Sequence, residues 1–292
     1  MNFLQYIVTH ISEQTGTRFS PPQHRANSFD TINQTTRLTD GQQDWFVKTN
    51  SANKLDMFEA EAEGLNAMHN TQSIRVARAL CTGSYEDNSY IVIEYIHSGR
   101  ATRHSQAMAG ERLAAMHREV AKQFGWHRNN TIGATFQRNT WTDDWITFWR
   151  DQRLNFQLEL AAQNGFSGRL QSSGERLLSC FHHLIDHAPQ ASLLHGDLWS
   201  GNISYNLQGE PVIFDPACYF GDREADIAMT ELFGGFNANF YTAYNATWPL
   251  DTGYQTRKSL YNLYHILNHL NLFGAGYAGQ AQNLIDRLLS EC

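Results

Sequence analysis

Within the stretch SLLHGDLWSGN, residues 192–202, an Asp and an Asn stand five positions apart, at Asp197 and Asn202. A second carboxylate, Asp215, follows an apolar run in VIFDPA. A loop Asp and Asn followed by a short hairpin that ends in Asp suits metal-assisted phosphoryl transfer. In that reaction one carboxylate orients the attacking hydroxyl and accepts its proton late. Oxygen ligands hold Mg2+ against the phosphates, because magnesium is a hard cation. The spacing assigns Asp197 as the base and Asn202 and Asp215 as metal ligands. The same chemistry requires a strand Lys against the α- and β-phosphates and a helix Glu to fix it. Lys48, which ends DWFVK, is placed for the first role. Glu61, in FEAEAEGL, is placed for the second; Glu59 and Glu63 are alternatives, and the spacing to Leu65 and Met68 favours Glu61.

These residues need elements to bring them together. MNFLQYIVTHISEQTGTRF reads as an ordinary helix. The rest of the first hundred residues read as strand, strand, strand, helix, strand, strand. Asp40-Gly41 is a tight-turn signal between strand-like runs, and KLDMFEAEAEGLNAMHN is rich in helix formers. Beyond Gly99 the pattern becomes helical. The exception is the HGD stretch with its hairpin ISYNLQGEPVIFD, whose turn is expected near Asn206–Gly209. TWTDDWITFW spaces Trp141, Trp145 and Trp149 four apart, predicting one packed helix face with Thr142 as cap and Asp143–Asp144 on its first turn. The expected architecture is α+β in two lobes, residues 1–96 and 97–292, with the boundary between Tyr95 and Gly99.

Composition bounds the partners. The chain has 292 residues, 41% of them hydrophobic, enough for a substantial core. Its formal charge of −7, from 22 basic and 29 acidic residues, argues against a nucleic-acid-binding surface. No apolar run is long enough to span a membrane, and the N-terminus lacks the basic start of a signal peptide; a cytoplasmic protein is expected. Cys81, Cys180, Cys218 and Cys292 form no CxxC pair and are expected to be reduced.

HGDLWSGN…IFDPA, with the upstream FVK and FEAEAEGL, resembles the aminoglycoside-phosphotransferase branch of the protein-kinase-like fold. FGWHRNNTIG, NTWTDDW, DPACYFGDREADIAMTELFGGF and NLYHILNHLNLFG are similar more narrowly to the fructosamine kinase (ketosamine 3-kinase) family, from about residue 25 to the C-terminus. The resemblance implies an antiparallel N-lobe sheet with a helix and a mostly helical C-lobe. It also implies transfer of the ATP γ-phosphate to the sugar 3-hydroxyl of a ketosamine, either a free small molecule or a glycated protein lysine; the destabilised product then sheds its sugar. On matching positions it implies Asp197 as base, Asn202 and Asp215 as metal ligands and Lys48 with Glu61 as the phosphate-side ion pair. It further implies Glu94, Tyr95 and Ile96 as the hinge that bonds adenine, and Trp199 and His269 as sugar-pocket residues. An indole two residues past the base also suits the apolar face of a sugar. One departure is the loop RANSFDTINQ, which has no Gly where the family brings backbone N–H groups to phosphate. Asn27, Ser28 and Thr31 are substitute donors, whereas Asp30 would repel phosphate, so looser nucleotide binding is expected. The rival readings are a kinase of this fold for an aminoglycoside, choline or homoserine, and a catalytically weak nucleotide-binding protein.

Other motifs read as structural. His195 is expected to bond backbone carbonyls, and Asp226, with Asp222, to hold loop amides. His183/His187 and His265/His269 have zinc-pair spacing but no adjacent Glu or evident third ligand. GAGYAG, residues 274–279, satisfies a dinucleotide fingerprint by letter, yet a helical pattern precedes it, so Gly274 and Gly276 read as a helix stop and loop.

Overall fold

The computed structural model describes residues 1–21, 23–27 and 32–292, with residues 23–27 given by backbone alone. Helix α1 (Phe3–Thr15) opens on a reciprocal cap between Asn2 and Gln5 and stops at Gly16, where φ is 67°. Strands β1 (Gln23–Asn27), β2 (Gln34–Thr39) and β3 (Asp44–Ser51) lead into helix α2 (Leu55–Asn70). Strands β4 (Arg75–Val76), β5 (Ala79–Tyr85) and β6 (Asn88–Glu94) follow. All but β4 form an antiparallel sheet in the order β1-β2-β3-β6-β5. The Asp40 carboxylate closes the β2–β3 turn by accepting the amides of Gln42 and Gln43 at 2.9 and 2.8 Å. Strand parity then sorts the side chains. Val47, Tyr90 and Val92 pack with Ile7, Ile11, Phe19 and Leu38 under α1. Phe46, Lys48 and Ile93 face the other way, toward α2 and a deep cleft. The loop RANSFDTINQ, with Asn27, Ser28, Asp30 and Thr31, falls largely outside the described residues.

The remainder is mostly helical: α3 (Arg103–Met116), then β7 (Val120–Ala121), β8 (Asn130–Ile132), β9 (Thr135–Gln137), α4 (Trp145–Trp149), α5 (Asn155–Gln163) and α6 (Arg169–Cys180). Between α4 and α5 the helix widens through 150–154 into a π turn. Strands β10 (Ala191–Leu194), β11 (Ile203–Tyr205), β12 (Pro211–Ile213) and β13 (Tyr219–Gly221) carry the HGD region, and α7 (Glu224–Leu232), α8 (Ala238–Thr247), α9 (Tyr254–Phe273) and α10 (Ala278–Glu291) complete the chain. The result is a two-lobed α+β fold with an antiparallel sheet and helix in one lobe and mainly helices in the other. The sequence lobes are stitched across the expected boundary, since β4 pairs in parallel with β12 and Ala77 N–H donates to the Ile213 carbonyl at 3.0 Å. Among the described residues no helix is long and apolar enough to cross a membrane.

Two expectations are corrected. Cys180 and Cys292 form a disulfide with Cα atoms 5.9 Å apart. Their separation of 112 residues conceals that α10 lies along α6. Cys81 and Cys218 are free thiols. The tryptophan stripe also breaks: the helix starts at Trp145 with Asp144, not Thr142, as its cap, the carboxylate accepting the Thr147 amide at 2.7 Å. Thr142 instead exchanges backbone bonds with Phe124. Trp141 is therefore off the helix, 39% exposed, and stacked on Phe220, whereas Trp145 and Trp149 are buried.

Candidate active site

The site is built on the segment that leaves the fully buried strand β10. His195 Nε2 donates to the Phe214 carbonyl at 2.9 Å; a carbonyl can only accept, so Nε2 carries the proton there. The His195 carbonyl takes the Ala217 amide at 2.8 Å. Gly196 follows with φ 81°, and a Cβ there would overlap the Ala217 carbonyl. Asp226, on the first turn of α7, receives the His195 and Gly196 amides at 2.7 and 2.8 Å. It is also bonded to His117 Nε2 at 3.1 Å. Burial pushes the Asp226 carboxyl up, but His117 and the loop amides outweigh it and hold it below the usual range. Asp222, by contrast, meets no amide of the HGD loop. It bonds its own helix start at the Glu224 amide, His187 and Tyr261.

The clamp at Asp226 carries a prediction. Asp226→Asn keeps the shape but turns an amide N–H2 toward groups that need an acceptor. A loss of about 3 kcal/mol is expected in urea unfolding. Because the folded pKa is depressed, the carboxylate's contribution is complete above its unfolded value of about 3.9 and fades as pH falls through the folded value. The variant should therefore lose less stability than the wild type on acidification below about pH 4.

The clamped loop places Asp197 at the floor of the cleft, half-buried. Asn202 Nδ2 donates to the Asp197 carbonyl at 2.8 Å, to Asp197 Oδ2 at 3.1 Å and to the Asp215 carbonyl at 3.4 Å. That one amide ties the two acidic segments together and leaves Asn202 Oδ1 and Asp197 Oδ1 without a protein partner among the described residues. Burial, and next the nearby charge of Asp215, push the Asp197 carboxyl up to about 7 against the Asn202 bond. Asp215 sits at φ 58°, a left-handed conformation that Asp tolerates better than most residues. Its carboxylate is an ion-pair partner of Lys48.

Lys48 Nζ also bonds Glu61 Oε1 at 2.8 Å. Burial alone would push the ammonium toward neutrality, but Asp215 and Glu61 outweigh it and keep it charged. Of the three alternatives on α2, Glu61 thus reaches Lys48. Glu59 and Glu63 lie on the side facing Arg128, at 3.8 and 2.6 Å, and His127 adds a 2.7 Å contact to Glu63. Arg128 also pairs with Asp56. Sequence reasoning missed this anchor of α2, although Arg128 lies inside the FGWHRNNTIG block.

Glu94, Tyr95 and Ile96 line the same cleft, beside Phe46, Ala77 and Ile93. The Glu94 amide already donates to Arg78 at 2.8 Å and the Tyr95 amide to Asp44 at 3.4 Å. The Glu94 carboxylate pairs with Arg75. The Ile96 amide has no such acceptor among the described residues. Trp199 and His269 line this cleft as well. Gly201 lets the indole fold back over the loop, since a Cβ at this position would overlap the Trp199 ring. The His269 ring bonds the His265 carbonyl through Nδ1 at 2.8 Å, and burial lowers its pKa. All ten residues assigned from the sequence thus border or reach one cleft of about 950 Å³, within the size range of small-ligand sites.

The zinc-like histidine pairs come apart. His265 Nδ1 is buried without a partner among the described residues, and burial pushes its pKa down to about 3. His187 meets Asp222 and Glu224, but Arg257 already occupies Glu224 through bonds of 2.7 and 2.9 Å. The GAGYAG stretch follows α9 and has no strand before it.

The donor set fits magnesium and a nucleotide. The groups turned to the cleft floor are carboxylate and amide oxygens, which suit a hard cation. An ammonium has three donors, and Glu61 and Asp215 take two from Lys48.

The chain's full sequence matches the family model described as fructosamine kinase over residues 3–291. It is 49% identical over 286 residues to a Synechocystis protein named "Probable ketoamine kinase", covering 98% of this chain and 96% of that one. It is 46% identical over 249 residues to the chloroplastic protein-ribulosamine 3-kinase of Oryza sativa, covering 84% and 72%. A crystal structure of the "Putative fructosamine-3-kinase" from Haemophilus somnus superposes with a TM-score of 0.90 at 29% identity, covering 97% of this chain and 96% of that one. The choline kinase of Streptococcus pneumoniae, at 14% identity and a TM-score of 0.68, shares the fold. Spanning both lobes and the cleft between them, these likenesses show that the chain belongs to the fructosamine kinase family, a phosphotransferase acting on a sugar hydroxyl.

Proposed function

We propose that the protein transfers the γ-phosphate of ATP to the 3-hydroxyl of a ketosamine, a fructosamine or ribulosamine that is free or borne on a glycated protein lysine. The observation that carries this reading is the Asn202 amide, which binds the Asp197 and Asp215 segments into one oxygen-rich floor beside Lys48. Asp197 Oδ1 faces the acceptor hydroxyl, orients it and takes its proton as the phosphoryl group arrives. Asn202 Oδ1 and the Asp215 carboxylate would hold magnesium, which supplies positive charge to neutralise the phosphate oxygens. Lys48, held by Glu61 and beside Asp215, steadies the phosphates. Phe46, Ala77 and Ile93 offer apolar walls to adenine, and the Ile96 amide is the hinge donor. Trp199 stacks on the sugar, and His269 closes that end. Catalysis here is mainly positioning and electrostatics.

A substrate panel tests the reading. Fructosamines and ribulosamines are expected to be phosphorylated at the 3-hydroxyl with kcat/KM at least about 100-fold above any aminoglycoside, choline or homoserine. A preference for one of the latter, or phosphate on another hydroxyl, would overturn it. Calorimetry with Mg-ATP separates it from a catalytically weak nucleotide-binding protein.

A further inference from the structure

The cleft does not end at the sugar-binding residues. Beyond Trp199 and His269 it continues onto Phe233 at the end of α7, Phe273 at the end of α9 and Tyr277 just before α10. The His269 ring is the hub, with centroids 4.9 Å from Phe233, 5.3 Å from Phe273 and 5.2 Å from Tyr277. Phe233 in turn meets the Trp199 ring edge-on at 6.3 Å. Trp199, Phe233 and Phe273 are 38%, 39% and 54% exposed, and large exposed apolar side chains elsewhere among the described residues do not share this cleft. Exposed apolar groups that cluster at the mouth of a pocket mark a surface meant to be covered, whereas scattered ones need no explanation.

The chemistry of the substrate says what covers it. A ketosamine carries its amine on C1, two carbons from the hydroxyl presented to Asp197. With the nucleotide on the Lys48 side and the sugar against Trp199, the amine substituent leaves toward the aromatic end. The amine is a secondary ammonium at neutral pH, and ring faces attract such a cation. Lys48 is the one Lys or Arg among the described residues that line the cleft, and it is tied to Glu61 and Asp215, so among the described residues no positive side chain opposes the amine. The His269 Nδ1 bonds a carbonyl, which only accepts, so Nδ1 carries the ring proton and Nε2 of the neutral ring is an acceptor. An apolar chain attached to the ammonium would lie across Phe233, Phe273 and Tyr277 and reach solvent at the rim.

Resting on the ketosamine reading, we propose that Phe233, Phe273 and Tyr277 form a subsite for the substituent on the substrate's amine, recognising the alkyl stem of a glycated lysine. The enzyme would then select on the amine partner as well as on the sugar.

The test compares two substrates with the same sugar: the adduct of ammonia, which has no substituent, and the Nε adduct of an Nα-blocked lysine. In the wild type the lysine adduct is expected to have kcat/KM about tenfold higher. In Phe273→Ala and Tyr277→Ala that ratio should fall to about twofold, and Phe273→Leu should restore part of it through packing area. An unaltered ratio in both alanine variants would overturn the subsite. A wild-type series of ammonia, propylamine and hexylamine adducts reads the same surface without mutation; kcat/KM rising with chain length supports the proposal and a flat series overturns it. Phosphorylation of the ammonia adduct separates the two levels of inference. If it proceeds while the series is flat, only the subsite fails; if no ketosamine is phosphorylated, the function fails with it.

Discussion

Asp197→Asn is expected to lower kcat about 10²–10⁴-fold while Mg-nucleotide binding stays within about threefold of the wild type. An amide at this position can still accept the Asn202 bond that Asp197 Oδ2 makes at 3.1 Å, so the floor of the cleft should keep its shape. What it loses is the ability to take a proton from the acceptor hydroxyl. The remaining activity would come from positioning by Lys48, Asn202 and Asp215, which the substitution leaves in place. Removing a negative charge close to Asp215 also relieves the repulsion that raises the Asp197 carboxyl, so phosphate is not expected to bind less well. Single-turnover phosphorylation of a ketosamine, with calorimetry on Mg-ATP, measures the two halves separately. Undiminished turnover would remove Asp197 from the role of base.

The second large effect is expected at Asp215, and the choice of substitution matters. The residue is held at φ 58°, a conformation that Asn adopts with little strain but that costs Ala about 1 kcal/mol. Asp215→Asn therefore isolates the loss of charge. A fall of about 10²–10³-fold in kcat/KM is expected at millimolar magnesium. Raising the magnesium concentration should recover part of it, because Asn202 Oδ1 and the new amide oxygen still offer neutral ligands. Lys48 would keep its 2.8 Å bond to Glu61, so the lysine stays anchored and the deficit reports on the metal side of the site. Activity with no change in magnesium dependence would refute the ligand assignment.

The chemistry of the floor was legible because its residues are close along the chain. Asp197 and Asn202 share one loop, and a short hairpin returns the chain to Asp215. Such local spacing survives into three dimensions because the hairpin leaves little freedom between the two carboxylates. Strand parity was legible for the same reason: a period of two sends Lys48 to the face opposite Val47. Sequence patterns also anticipated that Asp226 would hold loop amides and that His195 would bond a backbone carbonyl.

What depended on distant packing was not legible. Helical spacing favoured Glu61 over Glu59 and Glu63 but could not show what holds the other two, which is Arg128. The four-residue tryptophan spacing looked like one helix face, yet Trp141 was taken out of it by backbone pairing between Thr142 and Phe124. The Cys180–Cys292 bridge arises only when α10 docks on α6. The aromatic ledge at Phe233, Phe273 and Tyr277 has no sequence signature, since its members come from the ends of separate helices. By itself, then, the sequence determined the reacting groups and the order of the elements, because both are encoded by neighbours along the chain. The tertiary structure alone decided that Asp215 joins Glu61 on the buried lysine, which cysteines meet, and that Phe233, Phe273 and Tyr277 gather around His269, because those contacts join segments whose relative placement is set by long-range packing.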